Sequence, residues 1–213
     1  MARPRSPRGR ARVTNERLTA EYPDARCELD HRNAYELLAA TILSAQCTDA
    51  RVNQVTPELF ARYPHPEDLA AAEPEAVEEI IRATGFYRNK ARSLLGMAQA
   101  LVDRFDGEVP GAMADLVTIP GVGRKTANVV RSVALDLPGL PVDTHVGRLA
   151  RRLGLTTETD PVKVEAELDP MVPRHERGRF SLRLILHGRR VCASRRPACE
   201  RCVLADFCPS SEV

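Results

Sequence analysis

The chain has 213 residues, of which 43% are hydrophobic and 28% charged, so it is long enough for one sizeable core or two small ones. It contains only five Phe, four Tyr and no Trp, which disfavours an aromatic-rich β-sandwich or barrel. No apolar stretch approaches the roughly eighteen residues that a bilayer span needs, and no apolar run follows the first arginines. We therefore expect a helical protein of the cytoplasm or bacterial nucleoid with no membrane partner.

The formal net charge is only +2, but the charges are unevenly distributed. Five arginines and no acidic residue lie in the first twelve residues, and eight arginines with one acidic residue lie between Arg177 and Arg201. A one-sided basic segment of this kind is typical of a surface that contacts a polyanion. A solvated basic face has the same composition, so charge alone leaves both interpretations open.

The predicted elements begin after residue 12, because residues 1–12 are rich in Arg, Pro and Gly and show no hydrophobic periodicity. We expect them to form a disordered basic arm. A cap followed by an apolar stripe predicts a helix from Asn33 to about Gln46. Further helices are expected at 48–62, 66–72, 75–83, 90–105, 112–118, 124–136, 144–153, 162–171 and 174–186. No segment alternates like a strand, so we predict an all-α fold of about ten helices, with the Pro-rich segment 137–142 between two lobes.

Four of the six cysteines lie within seventeen residues near the carboxyl terminus: Cys192, Cys199, Cys202 and Cys208. This C-x6-C-x2-C-x5-C spacing favours a metal site over disulfides in a chain that is not secreted. Structural zinc and a [4Fe–4S] cluster both fit the spacing, which does not separate them. Arg195 and Arg196 lie between these cysteines, where they either compensate negative charge or reach outward to a phosphate.

Residues 116–130 predict a short helix, a Pro-Gly-Val-Gly turn and a second helix. Gly121 and Gly123 would let the backbone on either side of Val122 approach a phosphate closely. The first amides of the next helix, which begins at Arg124, would point at that phosphate. Such a turn can hold one DNA strand without reading its sequence, although many turns of this composition only start a helix.

Lys125 lies in the first turn of that second helix, where the helix dipole and partial burial both favour the neutral amine that a nucleophile requires. The simpler alternative is that Lys125 is one more phosphate contact. Asp143, in the sequence Val-Asp-Thr-His at 142–145, is expected to cap the following helix. A carboxylate facing Lys125 could instead accept its proton and stabilise positive charge that develops on a deoxyribose.

These motifs together, in this order, resemble the endonuclease III family of DNA glycosylases over about residues 14–210. They are LSAQCTD at 43–49, GFYRNKA at 85–91, the hairpin at 119–130, VDTH at 142–145, ILHG at 185–188 and the four cysteines. The resemblance implies a [4Fe–4S] cluster and two lobes with a DNA groove between them. The first is a six-helix barrel at 30–137 that contains a helix-hairpin-helix at 112–136. The second is an iron–sulfur cluster lobe made of 13–29 and 138–213.

The resemblance also assigns residues and an activity. Lys125 is similar to the family's Schiff-base nucleophile and Asp143 to its carboxylate partner, and Gln46, Phe86 and His145 are similar to the residues that fill the gap left by a flipped nucleotide. The hairpin from Gly121 to Arg124, with Arg195 and Arg196, would contact DNA.

The implied enzyme acts in base-excision repair. It removes oxidised pyrimidines from double-stranded DNA and cleaves the strand at abasic sites by β-elimination, and we expect it to act as a monomer. Its Phe86 is bulkier than the leucine that some relatives carry there.

Two alternatives compete with this interpretation. The adenine-mismatch glycosylases share the hairpin and the cysteine spacing, but they carry a catalytic glutamate in the early helix and a small residue in place of the lysine. This chain has Thr41 and Lys125 at those positions. The other alternative is a non-catalytic DNA-binding module with a structural zinc, in which Lys125 only contacts phosphate.

Overall fold

The computed structural model describes residues 4–213, and over this range the protein is all α-helical, as predicted, with no strand. No helix in this range is both long and apolar enough to cross a membrane. The chain divides into two compact units. We call Cys27–Leu137 the hairpin unit, and the residues up to Arg26 together with Pro138–Val213 the cysteine unit. The second change of unit coincides with the expected Pro-rich break, and the first lies three residues before the expected one.

The hairpin unit contains seven of the α-helices. They are α2 (Ala34–Leu43), α3 (Asp49–Arg62), α4 (Pro66–Ala70), α5 (Pro74–Ile81), α6 (Tyr87–Phe105), α7 (Met113–Leu116) and α8 (Arg124–Val133). The centre of the unit is α2, which packs against α3, α6 and α8. The Asn33 side chain caps α2 by accepting from the Glu36 amide at 2.9 Å, as the sequence predicts. A helix that is apolar on all sides must be buried on all sides, and Leu37, Leu38 and Leu43 are fully buried.

The cysteine unit contains the other four: α1 (Pro7–Glu21), α9 (Thr144–Arg152), α10 (Pro161–Leu168) and α11 (Arg177–Arg190). Its core is formed where α11 packs against α1 and α9, and it includes the fully buried Leu18, Phe180 and Leu184. Burying each of these side chains contributes roughly 1.5–3 kcal/mol. The segment that carries the four clustered cysteines follows α11 and contains only a 3₁₀ turn, Cys199–Arg201.

The prediction of a disordered arm over residues 1–12 is wrong from Pro7 onward; residues 1–3 lie outside the described residues. Ser6 caps α1 by accepting from the Gly9 amide at 3.1 Å, and Pro7 occupies the first turn, where it is tolerated. The buried stripe of α1 consists of Ala11, Thr14 and Leu18. Two of these three residues are small or polar, so the stripe is hard to distinguish from an arginine-rich coil in the sequence.

Several helix boundaries also differ from the predictions, among them the ends of α2, at Leu43 rather than about Gln46, and of α10, at Leu168 rather than residue 171. Helix α6 begins at Tyr87 rather than residue 90, directly after Gly85 and Phe86. Helix α8 ends at Val133 rather than residue 136, because Asp136 has a left-handed φ of 51° that cannot continue a right-handed helix. Residues 174–176 form a 3₁₀ turn, so α11 begins three residues later than predicted and continues to Arg190.

Candidate functional site

The predicted helix, turn and second helix of the helix-hairpin-helix are present in the hairpin unit, where α7 and α8 flank the turn at 117–123. Ile119 and Val122 are buried and anchor this turn in the core, so the intervening glycine lies at the surface. Gly123 is the N-cap of α8 and offers no side-chain acceptor to the first helical amides. Amides at a helix start without such an acceptor remain available to an anion. The turn therefore has the geometry of a phosphate site.

The two positions of the turn are occupied by glycine for different structural reasons. Gly121 has a φ of 78°, and a Cβ added there would lie 2.8 Å from Cβ of Ser93 on α6. The fold itself therefore requires glycine at position 121. Gly123 has an extended backbone with a φ of −88° and open space around the position of a Cβ. Nothing within the protein requires glycine there, which leaves close approach by a ligand as the physical reason.

Lys125 is the second residue of α8, and its side chain is exposed, as is that of Arg124. Its predicted place in the first helical turn is therefore present. The expected partial burial is wrong for the protein alone, because the first turn of α8 lies at the surface while its buried face is formed by Ala127, Asn128 and Val130. An exposed amine beside the glycine turn is accessible to a large substrate.

Gln46 and Phe86, both in the hairpin unit, share an unusual backbone conformation. Their φ angles are 54° and 48°, in the left-handed region that costs a residue with a Cβ roughly 1–2 kcal/mol. Both side chains are exposed, and Phe86 is 64% exposed although it is aromatic. Strained backbone that presents an apolar ring to solvent does not serve the core, so a function at the surface is the better explanation.

Asp143 and His145 lie in the cysteine unit at the start of α9. One carboxylate oxygen of Asp143 accepts from the amides of His145 and Val146, both at 2.8 Å, which confirms that this residue is an N-cap. Its other oxygen lies 3.3 Å from Nδ1 of His145. Both side chains are partly buried, and the hydrogen bonds fix the direction in which the Asp143 carboxylate points.

The four clustered cysteines line one cavity of the cysteine unit, together with Arg152 and His187. Within residues 4–213 no three His, Cys, Asp or Glu side chains are arranged to hold a single metal ion, and the four cysteines lie around this cavity. Burial raises the pKa of the Cys202 and Cys208 thiols. Unless a cation is bound, these thiols would therefore stay protonated, and binding one would release their protons.

Two side chains that the sequence analysis did not single out contact these sulfurs. Arg152 donates from Nη1 to Sγ of Cys192 at 3.2 Å and to the carbonyl of Ala193 at 2.7 Å. His187 places Nε2 3.3 Å from Sγ of Cys202, and burial lowers its pKa to about 4, so the imidazole is neutral near pH 7. Only the motif at 185–188 could have indicated His187 in advance. Arg195 and Arg196 are exposed in the same loop, and Arg196 has a left-handed φ of 54°.

A third residue without a prediction is Lys90 on α6, which is only 5% exposed. Its Nζ donates to the carbonyl of Thr84 at 2.7 Å. Lysine is rarely buried, because its ammonium loses hydration that one hydrogen bond does not replace. The sequence signal was a lysine that falls within the buried stripe of α6, next to Ala91 and one turn before Leu94.

Comparison with known proteins matches residues 39–174 to the HhH-GPD superfamily of base excision DNA repair proteins. The chain is 53% identical over 192 residues to endonuclease III of Synechocystis, covering 90% of this chain and 88% of that protein. It is 45% identical to endonuclease III of Bacillus subtilis, with 88% and 86% covered. The chain belongs to the endonuclease III family. As a member, it is a DNA glycosylase and AP lyase of base-excision repair.

Solved structures agree with this membership. A trapped endonuclease III–DNA covalent intermediate has a TM-score of 0.89 and 44% identity, with 95% of this chain and 96% of that chain covered. A thermostable thymine-DNA glycosylase has a TM-score of 0.87 at 22% identity, with 95% and 97% covered, which shows a shared fold only. The endonuclease III fold thus extends over 95% of the chain.

Proposed function

We propose that this enzyme removes oxidised pyrimidines from double-stranded DNA and cleaves the strand at the resulting or pre-existing abasic sites, with Lys125 as the nucleophile. The observation that carries the proposal is an exposed lysine in the first turn of α8, directly after a glycine turn that suits a phosphate. A strand held at the turn would bring a sugar close to the amine. We further propose that the protein acts as a monomer, in the cytoplasm at the nucleoid.

The reaction begins with base flipping, because a stacked nucleotide shields its glycosidic carbon. Nζ of Lys125 attacks that carbon, and the glycosidic bond breaks with its electron pair leaving on the base, which takes up a proton. The sugar opens to a protonated imine on Lys125. Loss of a proton from the adjacent carbon and breakage of the bond to the 3′ phosphate oxygen then cut the strand, and water releases the lysine. Asp143 would take the proton of Lys125 and stabilise positive charge on the sugar.

Gln46, Phe86 and His145 are proposed to fill the gap that the flipped nucleotide leaves. The strained and exposed backbone at the first two supports this role, because such positions suit insertion between bases better than packing. Arg124, Arg195 and Arg196 are proposed phosphate contacts, which fix the register of the strand without reading its sequence.

Borohydride trapping tests the role of Lys125. Reduction of the imine should join wild-type protein covalently to abasic DNA, and Lys125→Ala should give no adduct. Arg124→Ala is the matched control, because it removes the neighbouring cation: we expect weaker DNA binding but a trapped adduct at saturating enzyme. Undiminished trapping by Lys125→Ala would show that another group is the nucleophile and would favour the non-catalytic interpretation of this lysine.

Thr41 bears on the adenine-mismatch alternative. Its side chain is buried, and its hydroxyl donates to the carbonyl of Leu37 one turn earlier at 2.7 Å, so it supplies neither a carboxylate nor an exposed proton donor. A release assay separates the two activities: we expect release of thymine glycol from duplex DNA and no release of adenine opposite oxidised guanine. The reverse result would overturn the proposed substrate class.

We also propose that the four clustered cysteines hold a [4Fe–4S] cluster. A cluster takes one thiolate at each of its four irons, so its ligands surround a volume, as these sulfurs do. When bound, the cluster serves as a structural element that folds a loop with little apolar content. Iron and acid-labile sulfide should be present at about four each per chain, and the protein should be brown. One zinc per chain in a colourless protein would instead show a mononuclear site.

A further inference from the structure

Lys90 makes hydrogen bonds on both sides of Gly85 and Phe86, two consecutive residues with positive φ. Its Nζ donates to the carbonyl of Thr84, the residue immediately before the pair, at 2.7 Å. Its backbone amide donates to the carbonyl of Phe86, the second residue of the pair, at 3.1 Å. One residue thus hydrogen-bonds to the chain just before Gly85, with its φ of 69°, and at Phe86, whose φ of 48° is strained for a residue with a Cβ.

The segment before the pair is itself well held. Thr84 ends a 3₁₀ turn, Arg82–Thr84, and its hydroxyl donates to the carbonyl of Ile81 at 2.8 Å. Thr84 is buried, whereas Gly85 and Phe86 are exposed. Lys90 therefore connects a rigid, buried anchor on α6 to the last buried residue before the exposed pair.

The Phe86 ring cannot position itself by packing, because 64% of it is exposed. Its location must come from the backbone, and its left-handed conformation persists only if the surroundings enforce it. A backbone hydrogen bond from a buried amine is a strong constraint of this kind, because a bond that involves a charged group is worth more than a neutral one.

Filling the space at position 90 does not by itself require an amine. Burial lowers the pKa of Lys90, against a smaller opposing effect of Cys47, which means that the ammonium is destabilised where it lies. An apolar side chain of similar length would fill the same space without that cost. What lysine adds at this position is the hydrogen bond that its Nζ donates to the Thr84 carbonyl.

We infer that Lys90 is a positioning residue for base extrusion: it holds the Thr84–Phe86 segment so that Phe86 stands ready to enter the gap left by the flipped nucleotide. This rests on the proposed function, since it needs Phe86 to act on stacked DNA. Lys90 touches no substrate and acts only through Phe86.

Two substrates distinguish positioning from general support of the fold. A thymine glycol within duplex DNA requires extrusion and a filled gap, whereas an abasic site in single-stranded DNA requires neither. Lys90→Met keeps the length of the side chain and removes the donor. We expect single-turnover base release from the duplex to fall roughly tenfold, the effect of one lost charge-assisted hydrogen bond. Cleavage of the single-stranded abasic site should stay within about twofold of wild type.

Arg92→Met is the matched control, because it removes an exposed cation two residues further along α6. It should leave the ratio of the two rates unchanged. Phe86→Ala supplies the second readout: if Lys90 acts through Phe86, adding Lys90→Met to Phe86→Ala should slow duplex base release by less than about twofold further. Thermal unfolding of the intact protein verifies that each variant is folded, and Lys90→Leu, which also lacks the donor, carries the same comparison should the Met variant not fold.

Equal losses on both substrates, full additivity with Phe86→Ala, or no loss on the duplex would each overturn the role of Lys90. Failure of the proposed function has a different signature. Wild-type protein would then neither release thymine glycol nor form a trapped adduct with abasic DNA, whatever residue stands at position 90.

Discussion

Gly121 and Gly123 look equivalent in the sequence, yet the structure predicts opposite consequences for replacing them by alanine. At Gly121 the backbone has a φ of 78°, which costs an alanine roughly 1–2 kcal/mol. The new Cβ would also lie 2.8 Å from Cβ of Ser93, an atom that no side-chain rotation can move. Overpacking of this kind costs roughly 1–3 kcal/mol. We expect Gly121→Ala to lower the free energy of unfolding by about 2–4 kcal/mol.

Gly123→Ala should instead leave the fold nearly intact. Its Cβ would meet no atom within 4 Å, and any residue can adopt its extended φ of −88°. The expected loss is below about 1 kcal/mol, the difference between glycine and alanine as an N-cap. The added methyl group would stand where a phosphate must approach the first amides of α8, so the affinity for duplex DNA should fall roughly tenfold.

Urea unfolding of the intact protein gives the first quantity, and fluorescence anisotropy with labelled duplex at fixed salt gives the second. Ser93→Gly in the Gly121→Ala background removes the clashing Cβ and should recover the overpacking part of the loss. The reasoning is refuted if Gly123→Ala destabilises the protein as much as Gly121→Ala does. It is also refuted if Gly123→Ala binds DNA like wild type.

Three further predictions concern single side chains. Asp143→Asn should keep the cap of α9 and the stability of the protein, but base release should be lost. Asp143→Ala should lose base release and also lower the free energy of unfolding in urea by about 0.5–2 kcal/mol. An Asn variant that still releases the base would show that Asp143 is only an N-cap. Arg183→Met should destabilise by roughly 1–3 kcal/mol, because it leaves the partly exposed Glu176 carboxylate without its 2.6 Å partner. Burial acts to raise the pKa of Glu176, but Arg183, together with Arg179 and His175, outweighs burial and holds that pKa below its ordinary value. The pair's contribution is therefore present above about pH 4.5 and lost as pH falls through the lower folded value, and Arg183→Met should lack this acid step in a pH series of unfolding curves. Phe86→Gly should lower the free energy of unfolding by less than about 1 kcal/mol, because relief of the left-handed strain offsets the greater chain entropy of glycine. The same variant should slow base release from duplex DNA. Asp106→Gly, the control at another left-handed residue, should change neither the stability nor the rate of base release.

Most helices could be predicted from the sequence because strong local signals mark where they begin. Asn33 and Asp143 cap their helices as the sequence indicates, and Pro74 starts α5. The same logic missed α1, whose cap Ser6 precedes a run of arginines rather than an apolar stripe. Helix α1 is stabilised from outside its own sequence: Arg10, for example, donates to the carbonyl of Gly154 at 2.5 Å, 144 residues away. No local pattern contains such a contact.

Site residues that belong to sequence motifs could be predicted, whereas site contacts that arise from packing between distant residues could not. The hairpin, Lys125 and the four cysteines follow from spacing and resemblance. The contact of Arg152 with Sγ of Cys192 joins residues 40 apart, and the role of Lys90 depends on a carbonyl six residues earlier in the chain. Gly121 is required by the fold and Gly123 is not because a Cβ at position 121 would clash with Ser93, a residue outside the hairpin motif.

Backbone strain and the family resemblance are independent observations, and both single out Gln46 and Phe86. Five residues other than glycine have a left-handed φ between positions 4 and 213. Asp106 ends α6 and Asp136 lies just beyond α8, where such a conformation is common and aspartate tolerates it. The other three are Gln46, Phe86 and Arg196, all exposed. The resemblance assigns the first two to the gap left by a flipped nucleotide, whereas phosphate contact is one of two interpretations that the sequence leaves open for Arg196. Left-handed backbone at residues with long or bulky side chains is costly, and none of the three merely ends a helix. At Gln46 and Phe86, both in the hairpin unit, this cost supports the proposed insertion into DNA, since selection for stability alone would remove it.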